Sequence, residues 1–148
     1  MRKFYFLFAA VLFASISFGQ SAANYTFSTE TTGSLALDRN GAATDMSTGT
    51  TTLLAGGNDD ASSSVVNIGF DFLFMGVNYT QFSASSNGFM RLGATAVATT
   101  ASSQTGTATG AIITAFGGDL ATVTAAGANS KVHYKLFGTA PNRVLVVE

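Results

Sequence analysis

The sequence predicts an all-β protein: an antiparallel, jelly-roll-like β-sandwich preceded by a secretory signal peptide. Apolar residues recur with a period of two and no stripe of helical period competes with them. Clusters of Gly, Ser, Thr, Asn and Asp punctuate the apolar runs, as turns do between sandwich strands. At the N-terminus, Arg2 and Lys3 precede an apolar run from Phe4 to Phe18 that gives way to small and polar residues. That is the pattern of an export leader, assigned to residues 1–19, with Ser17 and Gly19 as the small residues before the cut. The run is shorter than the roughly 20 residues of a membrane span, so the mature chain, residues 20–148, is expected to carry none.

Taken in order, the expected strands begin with "YTFST" near Tyr25 and "SLALD" at Ser34 to Asp38. A low-complexity stretch, "GAATDMSTGTTTLLAGGNDDASSS", follows as loop, with Leu53 and Leu54 its one packing anchor. Next comes "VVNIGFDFLFMG", Val65 to Gly76. Its alternation puts Val66, Ile68, Phe70, Phe72 and Phe74 on a core face and Asn67, Gly69, Asp71 and Leu73 on the other. Three buried phenylalanines contribute on the order of 10 kcal/mol before chain entropy is set against them, which makes this strand the expected centre of the fold.

The segment "TQFSASSNGFMRLG" fixes its own register. A two-residue loop at Asn87-Gly88 would leave neither face consistently apolar. A three-residue loop, Ser86-Asn87-Gly88, sets Phe82 opposite Leu92 and Ala84 opposite Met90, with Ser83, Ser85, Phe89 and Arg91 outside. Such a loop is a type I turn followed by a left-handed residue, a place glycine takes without a Cβ clash. The low-complexity stretch from Gly93 to Gly110 is then a mobile excursion, before strands at "AIITAF", "KVHYKLFG" and "RVLVVE". The last of these stops within a strand pattern, so the chain is expected to be a fragment truncated at its C-terminus.

Composition narrows the function. There are no cysteines, so an exported domain of this sequence relies on packing and not on disulfides, and a bacterial origin is expected. Charged residues are 10% of the chain, against roughly 25% in an average soluble domain, and the net charge is −1. No basic field exists for nucleic acid.

The order "IGFDFLFMGVNYTQFSASSNGFMRLG", "IITAFGGDL", "KVHYKLFGTAPNRVLVVE" resembles the N-terminal β-sandwich module of large secreted proteins of Bacteroidetes-type bacteria. It is more distantly similar to the nidogen-type extracellular domain, in which an "SSNG" turn precedes a "P-F-W-x-D" stretch. Here Ala115, Phe116, Gly117, Gly118 and Asp119 stand where relatives often carry Pro, Trp and acidic residues. The resemblance implies surface display or adhesion and no chemistry, with fibronectin type III repeats and a sorting domain for type IX secretion following the module. Neighbouring domains of the same polypeptide are the partners it suggests; a surface polysaccharide is the partner expected if exposed aromatics serve as stacking platforms.

Candidate sites are few. His133, the single histidine, alternates with Lys131 and Lys135 on a face expected to be solvated. With no cysteine and no Gly-x-Ser-x-Gly elbow, a nucleophile, histidine and acid arrangement has no foundation, and no enzyme is expected. Asp71 and Asp119 read as outward polar residues or strand-end caps and not as a hydrolytic pair. For a ligand, Tyr79 and Phe89 lie off the inward set and are the candidate stacking platforms for a carbohydrate. For a metal, Asn58, Asp59 and Asp60 in "GGNDD" supply hard oxygens in a flexible loop suited to calcium, with a solvated turn as the plainer reading.

Overall fold

In the computed structural model the chain is described over residues 43–100, 110–125 and 128–148. The leader and the strands expected at Tyr25 and at Ser34 to Asp38 lie outside those residues. Nine strands are present and no helix among the described residues: β1 (Thr51–Leu54), β2 (Val66–Phe74), β3 (Val77–Ala84), β4 (Met90–Leu92), β5 (Ile112–Ile113), β6 (Thr124–Ala125), β7 (Ala128–Asn129), β8 (Val132–Thr139) and β9 (Asn142–Val147). They form a four-stranded sheet ordered β2-β3-β4-β5, a three-stranded sheet ordered β1-β8-β9, and the small β6-β7 hairpin, every pairing antiparallel. No described helix is long and apolar enough to cross a membrane.

The two larger sheets face each other across a core centred on Ile68, Phe82 and Leu92, with Tyr134, Leu145 and Val147 packed on it from the opposite sheet. Phe82 and Tyr134 meet edge to face at 5.4 Å, the geometry that sets a ring's positive edge on its neighbour's negative face. β2 keeps the predicted alternation along its length, from Val66 through Phe74. It does so across a wide bulge, where residues 68 to 71 oppose Thr80 alone and Gly69 adopts φ +92°. One expectation needs correcting: Phe70, Phe72 and Phe74 point inward but are only half-buried, so their contribution is about half the full-burial figure. At the tip, Met75 and Gly76 both have positive φ, closing a two-residue hairpin whose twist matches the strands it joins.

The stretch expected to be loop before β2 contains strand β1, paired with β8 through Thr51, Thr52 and Leu54. Ahead of it, residues 43–50 lie on the outer face of β8: Lys135 Nζ donates to the carbonyls of Asp45 and Thr48 at 2.9 and 2.8 Å. This covering explains why His133 is buried and not solvated. Its Nδ1 is 2.8 Å from Thr50 Oγ1 and its Nε2 is 3.4 Å from a Glu148 carboxylate oxygen. Alternation alone could not reveal that small polar residues would fold over this face.

Candidate functional site

The loop end of the β3-β4 hairpin gathers most of the buried polar chemistry. Phe82 faces Leu92, Ser83 faces Arg91 and Ala84 faces Met90, with Ser86, Asn87 and Gly88 between the strands. Beyond the last pair, Ser85 N–H donates to Phe89 O at 2.9 Å and Gly88 N–H to Ser85 O at 3.2 Å. Gly88 has φ +78°, and a Cβ there would run into the carbonyl of Phe116. Two requirements therefore converge on glycine: a left-handed backbone and the close approach of a second chain segment.

Asn87 is wholly buried and joins three segments. Its Nδ2 donates to Asp60 Oδ1 at 2.9 Å and to the Thr99 carbonyl at 3.3 Å. Its Oδ1 accepts the Leu120 N–H at 2.7 Å, and its own carbonyl accepts the Gly118 N–H at 3.2 Å. Both ends of the amide are thereby satisfied out of water, the condition for burying such a group without penalty.

The serine face of the hairpin was expected to be outside; Ser83, Ser85 and Ser86 are buried. Two segments cover it. Residues 61 to 63 pair with it from one side: Ser63 N–H donates to the Ala84 carbonyl, Ser86 N–H to the Ala61 carbonyl, and Ser62 bridges Ser85. From the other side, Val97 is buried and its N–H donates to Ser83 Oγ at 2.8 Å. The start of the stretch expected to be a mobile excursion is thus packed down; residues 101–109 lie outside the described set.

The same clamp brings three exposed carboxylates together. Asp59, Asp60 and Asp119 can each present an oxygen within 4.8 Å of the others. Asp59 bridges Ala121, and Asp60, at φ +46°, is held by Asn87. Asn58 serves the loop: its Nδ2 donates to the Ala55 carbonyl, and its backbone exchanges bonds with Thr122. The sequence offered Asn58, Asp59 and Asp60 as calcium candidates, with a solvated turn as the plainer reading, and assigned Asp119 to a strand end, since 58 residues of chain lie between it and Asp60. Three oxygen donors in one place suit a hard cation such as calcium.

The aromatic candidates move. Phe89 is 1% exposed, so no ligand can stack on it; its ring lies where a side chain at Gly117 would be. Tyr79 sits opposite Phe72 and packs half-buried against the core cluster, on the inner side and not the outer one. Among the described residues the exposed ring is Phe116, 74% accessible, three residues from Asp119. Sequence reading missed it because "AIITAF" looked like a strand with Phe116 at its end. In the structure only Ile112 and Ile113 pair with β4, and the chain leaves the sheet before Phe116.

A family model described as NIDO related matches residues 17–148 of the chain. No curated protein and no solved structure matches it.

Proposed function

Since the chain belongs to the NIDO-related family, whose domains are extracellular and non-enzymatic, we propose that it acts as a structural or adhesive module of a larger secreted or cell-surface protein. In this reading residues 1–19 export it, and its setting is that of the secreted Bacteroidetes-type proteins its sequence resembles. Its partners are neighbouring domains of the same polypeptide, such as fibronectin type III repeats and a sorting domain. The observation that carries the reading is the use made of the buried polar groups around Asn87. Each is consumed in fastening loops to a sandwich, which serves rigidity and not chemistry.

Carbohydrate binding is the second reading, and Phe116 favours it. A ring 74% exposed on a loop fastened to a rigid scaffold is the usual form of a sugar-stacking platform. The adjoining carboxylates of Asp59, Asp60 and Asp119 support a structural calcium in that reading.

A thermal melt of the mature chain, residues 20–148, with a panel of soluble polysaccharides, each with calcium and with chelator, tests both. A midpoint that no glycan moves supports the structural module. A rise of about 5 to 10 °C with one glycan, the size expected at roughly 100 times the dissociation constant, would replace it with the second reading. Loss of that rise in Phe116→Ala would locate the site.

A further inference from the structure

Along the inner row of β2, Ile68 is buried while Phe70 and Phe72 are only half-buried among the described residues. Beside Phe70 and Phe72 lies a cavity of about 280 Å³ between the two sheets. Ile68, Phe70, Phe72 and Leu92 wall it from one sheet and Val144 and Leu145 from the other. Among its lining residues the one charged side chain is Arg143. The Arg143 guanidinium lies 5.3 Å from the centre of the Phe70 ring, and its Nη1 donates to the Gly69 carbonyl at 3.0 Å. The salt bridge among the described residues is His133 to Glu148, so no described carboxylate pairs with Arg143.

We propose that this cavity binds a medium-chain carboxylate, the alkyl chain between the sheets and the head group on Arg143. The cleft is open on one side, but its apolar walls offer water few hydrogen bonds, whereas an alkyl chain gains contact with the side chains of both sheets. At the packing density of protein interiors the volume holds a chain of about eight to ten carbons. Arginine's planar fork presents paired N–H groups to the two oxygens of a carboxylate, and the Gly69 bond uses only one end of it. A single cation at the rim of an apolar slot complements one negative charge at the end of one apolar tail.

Calorimetric titration of the mature chain, residues 20–148, with octanoate, decanoate and octan-1-ol tests the assignment. Saturable one-to-one binding is expected, with decanoate tighter than octanoate by roughly fifteenfold because each of its two extra buried methylenes adds about fourfold. Octan-1-ol, lacking the charge, should bind about tenfold more weakly than octanoate. Arg143→Gln should bring decanoate down by a similar factor while a melt shows the chain still folded, and Arg143→Lys should fall between. Leu145→Phe, which fills the slot, should abolish binding; if it fails to fold, the Arg143 pair decides alone. The proposal is overturned if decanoate does not saturate, as it would not were other residues of the chain or a second copy already in the slot. Binding indifferent to chain length or to Arg143→Gln overturns it equally.

Discussion

The side-chain oxygen of Asn87 accepts the backbone N–H of Leu120 at 2.7 Å, across 33 residues of sequence. The same amide holds Asp60 and Thr99, so one residue of the hairpin loop ties a segment before the hairpin to two that follow it. Asn87→Ala should therefore cost about 1 to 2 kcal/mol, because the half-buried Leu120 N–H loses its partner and Asp60 its tether. Denaturant unfolding measures it, and a loss below about 0.5 kcal/mol would mean that water replaces the amide.

Gly88 is under two constraints, and its replacement should show both. Valine on a left-handed backbone costs roughly 1 to 2 kcal/mol, and displacing the Phe116 carbonyl that lies against Gly88 should bring the total to about 3 kcal/mol or more. Alanine should be nearly as harmful as valine, since the conflict begins at Cβ. Equal stability of Gly88→Ala and wild type in a urea titration would refute the close approach.

Ser83 holds down the first part of the Gly93 to Gly110 stretch through its bond from Val97. Ser83→Ala is expected to cost about 1 to 2 kcal/mol by orphaning the Val97 N–H. It should also speed amide hydrogen exchange at Val97 more than in the β2-β3 ladder, because only the local clamp is loosened.

Asp59, Asp60 and Asp119 repel one another when no cation is near. Asp119→Asn should then stabilise the chain in chelator by a few tenths of a kcal/mol, since the group is exposed and screened. If calcium binds, wild type should gain stability on its addition and Asp119→Asn should not. Wild type and variant responding identically to calcium would remove these carboxylates from consideration as ligands.

The Asp45 carboxylate is held below its ordinary value, first by the Ser47 side chain and then by the Ser47 backbone N–H at 2.9 Å, with Lys135 adding attraction. A lowered folded-state value means a contribution present above the unfolded value of 3.8 and lost as pH falls through the folded one. Asp45→Asn should thus weaken the chain slightly at neutral pH and make no difference once the pH is well below 3.8. A gap between the two melting midpoints that persists in strong acid would point to packing and not charge.

What was legible in the sequence is what period-two hydrophobicity encodes. The inward row Val66, Ile68, Phe70, Phe72 and Phe74, and the Phe82–Leu92 register with its three-residue loop, follow from large apolar side chains that must share a face. Glycine at position 88 follows from the same register. The rest turned on residues too small to leave a hydrophobic pattern. Ser83 and Ser85 look like solvent-facing residues, yet their size lets backbone approach closely, and segments around Ala61 to Ser63 and Val97 bury them through hydrogen bonds. Burial of His133 and Phe89, inward placement of Tyr79, exposure of Phe116 and the meeting of Asp119 with Asp59 and Asp60 all depend on where such segments come to rest. The sequence by itself determined an all-β sandwich and its central strands, because side-chain alternation is a local property of the chain. Only the tertiary structure decided which polar faces are covered, because hydrogen bonds between distant backbones carry no periodic signal.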